Sequence, residues 1–144
     1  MKSANFRYRI SADIPPQRAF DDITRVADWW STRFEGTSRN PGDVFTVHFG
    51  DTHKTFRIVE SVPGSRIVWE VIDSNMPWLA DKQEWTGTRI VWDVSARGSA
   101  TEITLTHVGL VPGIECYSAC EAGWTYFAQE SLRKLMTEGK GLPH

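Results

Sequence analysis

Two polar side chains in the strand-like part of the chain have the chemistry for acid–base catalysis. His107 continues the alternation of Leu105, and Glu60 continues that of Ile58, so both share a face with apolar residues. If both point inward, they could orient a polar ligand group or act as acid and base. A buried neutral histidine with a hydrogen-bond partner is the commoner case, and a glutamate at a strand end is usually solvated. His107 and Glu60 are thus the catalytic candidates, but catalysis is not the favoured interpretation.

Cys116 and Cys120 lie four residues apart, on or just before a predicted helix. With His107 they could supply three soft metal ligands, but zinc sites usually show four ligands in paired short spacings. We therefore predict no metal site. We also expect no cofactor, because the sequence has no nucleophile elbow, phosphate-binding glycine loop or dinucleotide fingerprint. A disulfide is not expected either, since side chains at this helical spacing are poorly aimed for one.

Aromatic residues are unusually frequent, with seven tryptophans in 144 residues. This number exceeds what a core of this size needs, so it indicates either a very aromatic core or a cavity lined with rings. Most inward residues are ordinary core positions. The candidates for binding an apolar ligand are Trp30, Phe45, Phe56, Trp69, Trp78, Trp92, His107, Cys120, Trp124 and Phe127.

Alternating apolar residues predict strands that are separated by turn residues. Their predicted ranges are 5–13, 44–49, 54–62, 65–73, 88–95 and 101–107. Two short helices should follow the first strand. Pro15 and Pro16 begin the first of them, and Thr24 is the expected N-cap of the second.

One long helix is predicted near the end of the sequence, because an apolar stripe recurs there at steps of three or four. The stripe consists of Cys116, Cys120, Trp124, Phe127, Ser131 and Leu135. A helix with one apolar stripe needs a surface to lie on, and the remaining chain reads as a strand meander. The sequence therefore predicts an α+β fold, as a single domain over residues 1–144, with a curved antiparallel sheet around this helix.

Charge argues against two classes of partner. The net charge is −2 and acids and bases are mixed, whereas a general nucleic-acid binder shows clustered Lys or Arg. The first residues carry charges within their apolar pattern, unlike a secretory signal or a transmembrane segment. We expect no nucleic-acid binding, no membrane insertion and a cytoplasmic protein, which the two reduced thiols also fit.

The longest irregular segment, residues 74–87, contains large apolar groups from Met76 to Leu79. Two interpretations stay open: the segment folds back as a lid over a cavity mouth, or it forms an apolar patch for a protein partner or homodimer. Trp85 and Gly87 bracket the segment and could anchor it, which favours the lid.

Several stretches, in this order and spacing, carry a family resemblance. They read IPPQRAFDDIT followed by ADWW, PGDVF, SRIVWEV, EWTGTRIVWDV, TEITLTHVGLVP and ECYSACEAGWTYFAQESLRKLMTEGKG. Taken together, the chain resembles the helix-grip fold of the START-like (SRPBCC) superfamily, in the branch of homologues of the activator of the heat-shock chaperone ATPase. The resemblance implies a sheet of seven or so strands around the last helix, enclosing an elongated cavity.

Members of this superfamily bind lipids, hormones or polyketides, some are cyclases or hydrolases, and one eukaryotic set acts as a co-chaperone with the help of a second domain. Fold alone does not choose among these roles. The favoured hypothesis is binding of a small apolar or aromatic molecule between sheet and helix. The alternatives are a co-chaperone-like protein interaction and a cyclase- or hydrolase-like activity that uses His107 and Glu60.

Overall fold

A computed structural model describes residues 4–144 as a sheet and helices. Seven strands form one antiparallel sheet in the order β1-β7-β6-β5-β4-β3-β2. The six strands predicted with bounds are present, with ends within two residues of the prediction, and the short β2 is added. The strands are β1 (Phe6–Ala12), β2 (Phe34–Gly36), β3 (Val44–Phe49), β4 (Thr52–Val62), β5 (Arg66–Asn75), β6 (Arg89–Arg97) and β7 (Ala100–Val108).

Two short helices, α1 (Pro16–Thr24) and α2 (Val26–Trp29), connect β1 to β2, which lie at opposite edges of the sheet. Pro15 is the N-cap of α1, in agreement with the prediction. The expected capping role of Thr24 is wrong. Thr24 ends α1, and its hydroxyl donates to the Asp21 carbonyl at 2.6 Å, so Arg25 occupies the N-cap of α2 without a side-chain cap.

The predicted long helix is present, but its middle is wound differently. It consists of α3 (Tyr117–Thr125), a π-helical segment (Tyr126–Leu132) and α4 (Arg133–Glu138), which together we call the C-terminal helix. A π-turn accommodates an extra residue and displaces the apolar stripe. As a result Ala128 and Leu132 are buried beside the predicted Ser131 and Leu135, whereas Phe127 remains partly exposed. Gly139 ends α4 in the left-handed conformation, with φ of 81°.

Two register shifts in the pairing of β4 with β5 give the sheet its local irregularity, at Thr55/Phe56 and at Ile58/Glu60. Such bulges bend a strand and increase its twist. The resulting α+β helix-grip fold holds the C-terminal helix against the curved sheet, with the apolar core between them. Within residues 4–144, no helix has the length and apolarity that crossing a membrane requires.

Candidate ligand-binding site

One end of the interior is filled with aromatic rings. Trp69 is fully buried, and its ring centroid lies 5.1 Å from that of Phe45, 5.5 Å from Phe56 and 5.5 Å from Trp92. Four of the residues predicted to bind a ligand therefore pack against one another instead of bordering a space. They are Phe45, Phe56, Trp69 and Trp92. We refer to them, with Trp29, as the packed aromatic cluster.

The other end of the interior contains a cavity of about 210 Å³, open to solvent on one side, between the sheet, the segment after β5 and the C-terminal helix. Five predicted site residues border it: Trp30, Trp78, Cys120, Trp124 and Phe127. The remaining lining residues are Phe49, Thr52, Lys54, Trp85, Ala119 and Gly123. An engineered apolar cavity of roughly 150 Å³ holds benzene, so this space suits a molecule with one or two rings.

Four parts of the chain position the lining: the β3–β4 hairpin, the end of α2, the segment after β5 and the C-terminal helix. The hairpin of β3 and β4 contributes Phe49, Thr52 and Lys54, and the end of α2 contributes Trp30. On the helix side, Ala119 and Gly123 are four residues apart and therefore lie on one face of α3. A Cβ added to Gly123 would meet nothing within 4 Å. The small size of these two residues thus keeps this wall of the cavity open.

Lys54 is the one cationic residue of the cavity lining. Its ammonium lies 3.9 Å from the ring centroid of Trp85, 5.7 Å from Phe49 and 5.9 Å from Trp30, and we call these three rings the aromatic cage. Burial lowers the pKa of Lys54 to about 8, and nearby Cys120 and Cys116 offset this only in part. Ring faces stabilise a cation electrostatically, so the cage keeps an ammonium in a mostly apolar wall.

The two cysteines are free and buried at the start of α3. The indole N–H of Trp85 donates to the Cys120 sulfur at 3.3 Å, and Glu84 accepts the Cys116 backbone N–H at 2.9 Å. The Cys116 thiol beside Cys120 lowers the pKa of Cys120, and the Lys54 charge acts in the same direction. The same pairing raises the pKa of Cys116. Of the two thiols, only that of Cys120 borders the cavity.

His107 is fully buried, and its ring nitrogens are both engaged. Its Nδ1 accepts the indole N–H of Trp124 at 3.0 Å, and its Nε2 lies 2.8 Å from the Thr88 hydroxyl. The Thr88 hydroxyl donates to the Trp85 carbonyl at 2.6 Å, so Nε2 must be the donor to Thr88. Burial, followed by the Lys54 charge, lowers the pKa of His107 to about 3. His107 is therefore a neutral structural residue behind the cavity wall and does not line the cavity.

The structure does not bring Glu60 to His107. A bulge lies between Ile58 and Glu60, because Ile58 pairs with Trp69 whereas Glu60 pairs with the adjacent Val68. The extra residue places Glu60 on the opposite face of the sheet from Ile58, although strict alternation would place both on the same face. Glu60 is exposed and forms an ion pair with Arg66 at 3.4 Å. A shared acid–base site is therefore not formed by this pair. Residues 4–144 also contain no group of three or more potential ligands that could hold a metal ion, from Cys116, Cys120 and His107 or elsewhere.

The segment after β5 is anchored at several points. Met76, Leu79 and Trp85 are buried, while the Trp78 side chain borders the cavity and is 53% exposed. The backbone N–H of Ala80 donates to Glu115 at 2.8 Å, which ties the segment to the chain before α3. Trp78 thus lies at the mouth of the cavity, with one part of its ring surface open to solvent.

The sequence contained a signal for Lys54 that our prediction did not use. Lys54 shares the alternation of Phe56 and Ile58, which are buried, so its inward direction follows from the strand pattern. Phe49 follows Val47 and Phe45 in the same way on β3. Gly123 gave a weaker signal, as an isolated glycine within a helical pattern lowers helix stability relative to alanine.

Comparison with protein families identifies this architecture. A family model described as activator of Hsp90 ATPase homolog 1-like protein matches residues 15–137. The chain belongs to this family. The match spans α1 through nearly all of α4 and so includes every element that contributes to the cavity. Among curated proteins, none matches the sequence.

Solved structures similar to this member of the activator of Hsp90 ATPase homolog 1-like family share its fold at low identity. The Aha1 dimer from Colwellia psychrerythraea is 21% identical, with a TM-score of 0.79 over 95% of this chain and 98% of that one. DynU16, a putative protein of the dynemicin biosynthetic locus, is 19% identical, with a TM-score of 0.71 over 97% of this chain and 49% of that one. An HSP90 activator from Plasmodium falciparum is 18% identical, with a TM-score of 0.62 over 88% and 92%.

Proposed function

We propose that this protein binds a small aromatic molecule in the cavity between the sheet and the C-terminal helix. The observation that carries the proposal is the cavity of about 210 Å³ itself, lined mainly by aromatic rings, with few polar groups. Ligand sites in proteins are typically concave and apolar, with a small number of placed polar groups that orient the ligand. Lys54, Thr52 and Cys120 are such groups here.

Gly123 gives further support, because a glycine in a helix interior lowers stability by about 1 kcal/mol relative to alanine. Gly123 has an ordinary helical backbone and open space where a Cβ would project, so neither backbone conformation nor close packing requires a glycine. Retaining space in the cavity accounts for it. The same space is what a planar ring would occupy.

The test is binding of 2-naphthamide, a neutral two-ring probe, measured by calorimetry with the wild type and two leucine variants. Gly123→Leu places a side chain in the cavity, and Ala122→Leu places the same side chain on the exposed side of α3. We expect Gly123→Leu to weaken binding by about tenfold or more and Ala122→Leu to leave it within about twofold. Equal affinities in both variants, or no binding to the wild type, would reject the proposal.

A second candidate function is stimulation of a chaperone ATPase, with or without self-association. Its support is the family match, together with the similar structures described as an HSP90 activator and an Aha1 dimer. Trp78, exposed at the cavity mouth, is the aromatic group that such a contact would use. The assay is Hsp90 ATPase rate with and without the protein, with its oligomeric state measured by sedimentation. An unchanged rate and a monomer at all concentrations would reject this function.

A further inference from the structure

The Lys54 ammonium differs from the arginines that form ion pairs because no acceptor group among residues 4–144 contacts it. Among the residues that the structure describes, no carboxylate lies within ion-pair distance of Lys54, and its amine makes no hydrogen bond to protein. By contrast, ion pairs engage Arg18, Arg25, Arg39, Arg57, Arg66, Arg89 and Arg97.

Three N–H donors on a partly buried ammonium normally find acceptors. The aromatic cage stabilises the charge, but ring faces at 3.9 to 5.9 Å leave those donors without oxygen partners from the described part of the protein. A polar donor group aimed at a cavity and lacking a partner marks the place where a ligand acceptor fits. Because the group is cationic, the complementary ligand group is an anion.

The surrounding titratable groups compensate this charge only in part. The groups that interact with Lys54 are Cys120, Cys116 and His107. His107 is neutral and hydrogen-bonded to Trp124, and Cys120 already accepts the Trp85 indole N–H. The lowered pKa of Lys54 is consistent with a cation that lacks a counter-ion.

We propose that the natural ligand of the cavity is an aromatic carboxylic acid, whose rings lie between the helix and the aromatic cage and whose carboxylate pairs with the Lys54 ammonium. This inference rests on the proposed function and adds the chemical class of the ligand. The ring-lined wall accounts for the aromatic part, and the unpaired ammonium accounts for the acid.

The experiment compares two probes of nearly the same shape, 2-naphthoate and the neutral 2-naphthamide, by calorimetry at about pH 6, where the carboxylate and Lys54 are both charged. For the wild type we expect naphthoate to bind about tenfold to a hundredfold more tightly than the amide, because a hydrogen bond between two charged groups in an apolar site is stronger than one to a neutral amide. Lys54→Met removes the charge but retains an unbranched side chain, and should bring the ratio to about one. Lys54→Arg retains the charge and should preserve most of the preference.

Lys134→Met is the matched control, because Lys134 pairs with Glu138 on α4 and does not border the cavity. It should keep the wild-type ratio. If the wild type binds both probes equally, the anion inference is wrong while the proposed function stands. If it binds neither, both are wrong. A preference for naphthoate that persists in Lys54→Met would also overturn the inference, since another group would then hold the carboxylate.

A pH series on the wild type tests the same point without a substitution. Lys54 loses its charge as the pH rises through its pKa of about 8, whereas naphthoate stays ionised. The preference for naphthoate should therefore decline between about pH 7 and about pH 10, and the amide affinity should change little. The bound anion raises the pKa of Lys54, so the decline should be centred above 8. A preference that is flat over this range would overturn the inference.

Discussion

Trp69 on β5 and Trp124 on α3 face the same interior from opposite sides, yet only Trp124 borders the cavity. Trp69 is surrounded by the rings of the packed aromatic cluster, whereas Trp124 contacts two rings of the aromatic cage but has the small residues Gly123 and Ala119 beside it on the helix. Their polar atoms differ as well. The indole N–H of Trp124 donates to His107, whereas that of Trp69 is buried without a partner.

This comparison shows that neither an inward direction nor an aromatic side chain is enough to place a residue at a cavity. What separates the two tryptophans is the size of the residues beside them. At the packed end, large rings meet large rings. At the cavity end, the rings of the aromatic cage contact the helix through Trp124 and Phe127, but Gly123 presents no side chain and Ala119 only a methyl group, so space remains beside these contacts.

The largest expected effect concerns His107, the acceptor for Trp124. Its pKa is about 3 in the folded protein and about 6.5 in an unfolded chain, so between these values the unfolded state binds a proton that the native state does not. The stability that the neutral imidazole contributes is complete above about pH 6.5 and is lost as the pH falls toward 3. The loss should amount to roughly 4 to 5 kcal/mol.

His107→Gln is the variant for this test, because the amide can accept from Trp124 and donate to Thr88 without titrating. Urea unfolding across that pH range should show a steeper loss of stability for the wild type than for His107→Gln. Parallel curves for the two proteins would contradict a neutral native His107.

The next effect separates the two ends of the interior directly. Trp69→Ala should lower the free energy of unfolding by about 3 to 5 kcal/mol, because the ring is fully buried among other rings. Trp69→Phe should cost much less, as it retains a ring and removes an unpaired N–H. Both are measured by chemical denaturation. A cost below about 1 kcal/mol for Trp69→Ala would mean that this end is not tightly packed.

Strand alternation and helical period were sufficient to predict six of the seven strands, the two short helices and the long C-terminal helix, but not the short β2 or the π-helical segment. The ring-rich interior could also be predicted, since seven tryptophans need partners. Which rings border empty space could not be predicted, because that depends on the residue across the interior and on local irregularities. The bulge at Ile58/Glu60 turned Glu60 outward, and the π-helical segment changed the exposure of Phe127. Neither irregularity has a period that a pattern search detects.

A smaller effect, of opposite sign, is expected at Gly123. Gly123→Ala should raise the free energy of unfolding by about 0.5 to 1 kcal/mol, because alanine is the better helix former and its methyl group meets no atom within 4 Å. The same methyl group reduces the cavity, so 2-naphthamide binding should weaken. Thermal unfolding and calorimetry measure the two effects. A destabilised Gly123→Ala variant would mean that the cavity wall is closed at this position.

The effect that is most informative for the cavity mouth is expected for Trp78→Ala. Because the side chain is 53% exposed, the free energy of unfolding should fall by only about 1 kcal/mol, far less than for Trp69→Ala. Binding of 2-naphthamide should nevertheless weaken by roughly fivefold to tenfold, since one ring of the lining is lost while the buried Met76 and Leu79 keep the segment in place.

If Trp78 instead serves a protein contact, probe binding will be unchanged and self-association or ATPase stimulation will be lost. Measuring all three properties on one variant therefore distinguishes a lid from an interface, because the same ring cannot cover the mouth and leave ligand affinity untouched when it is removed.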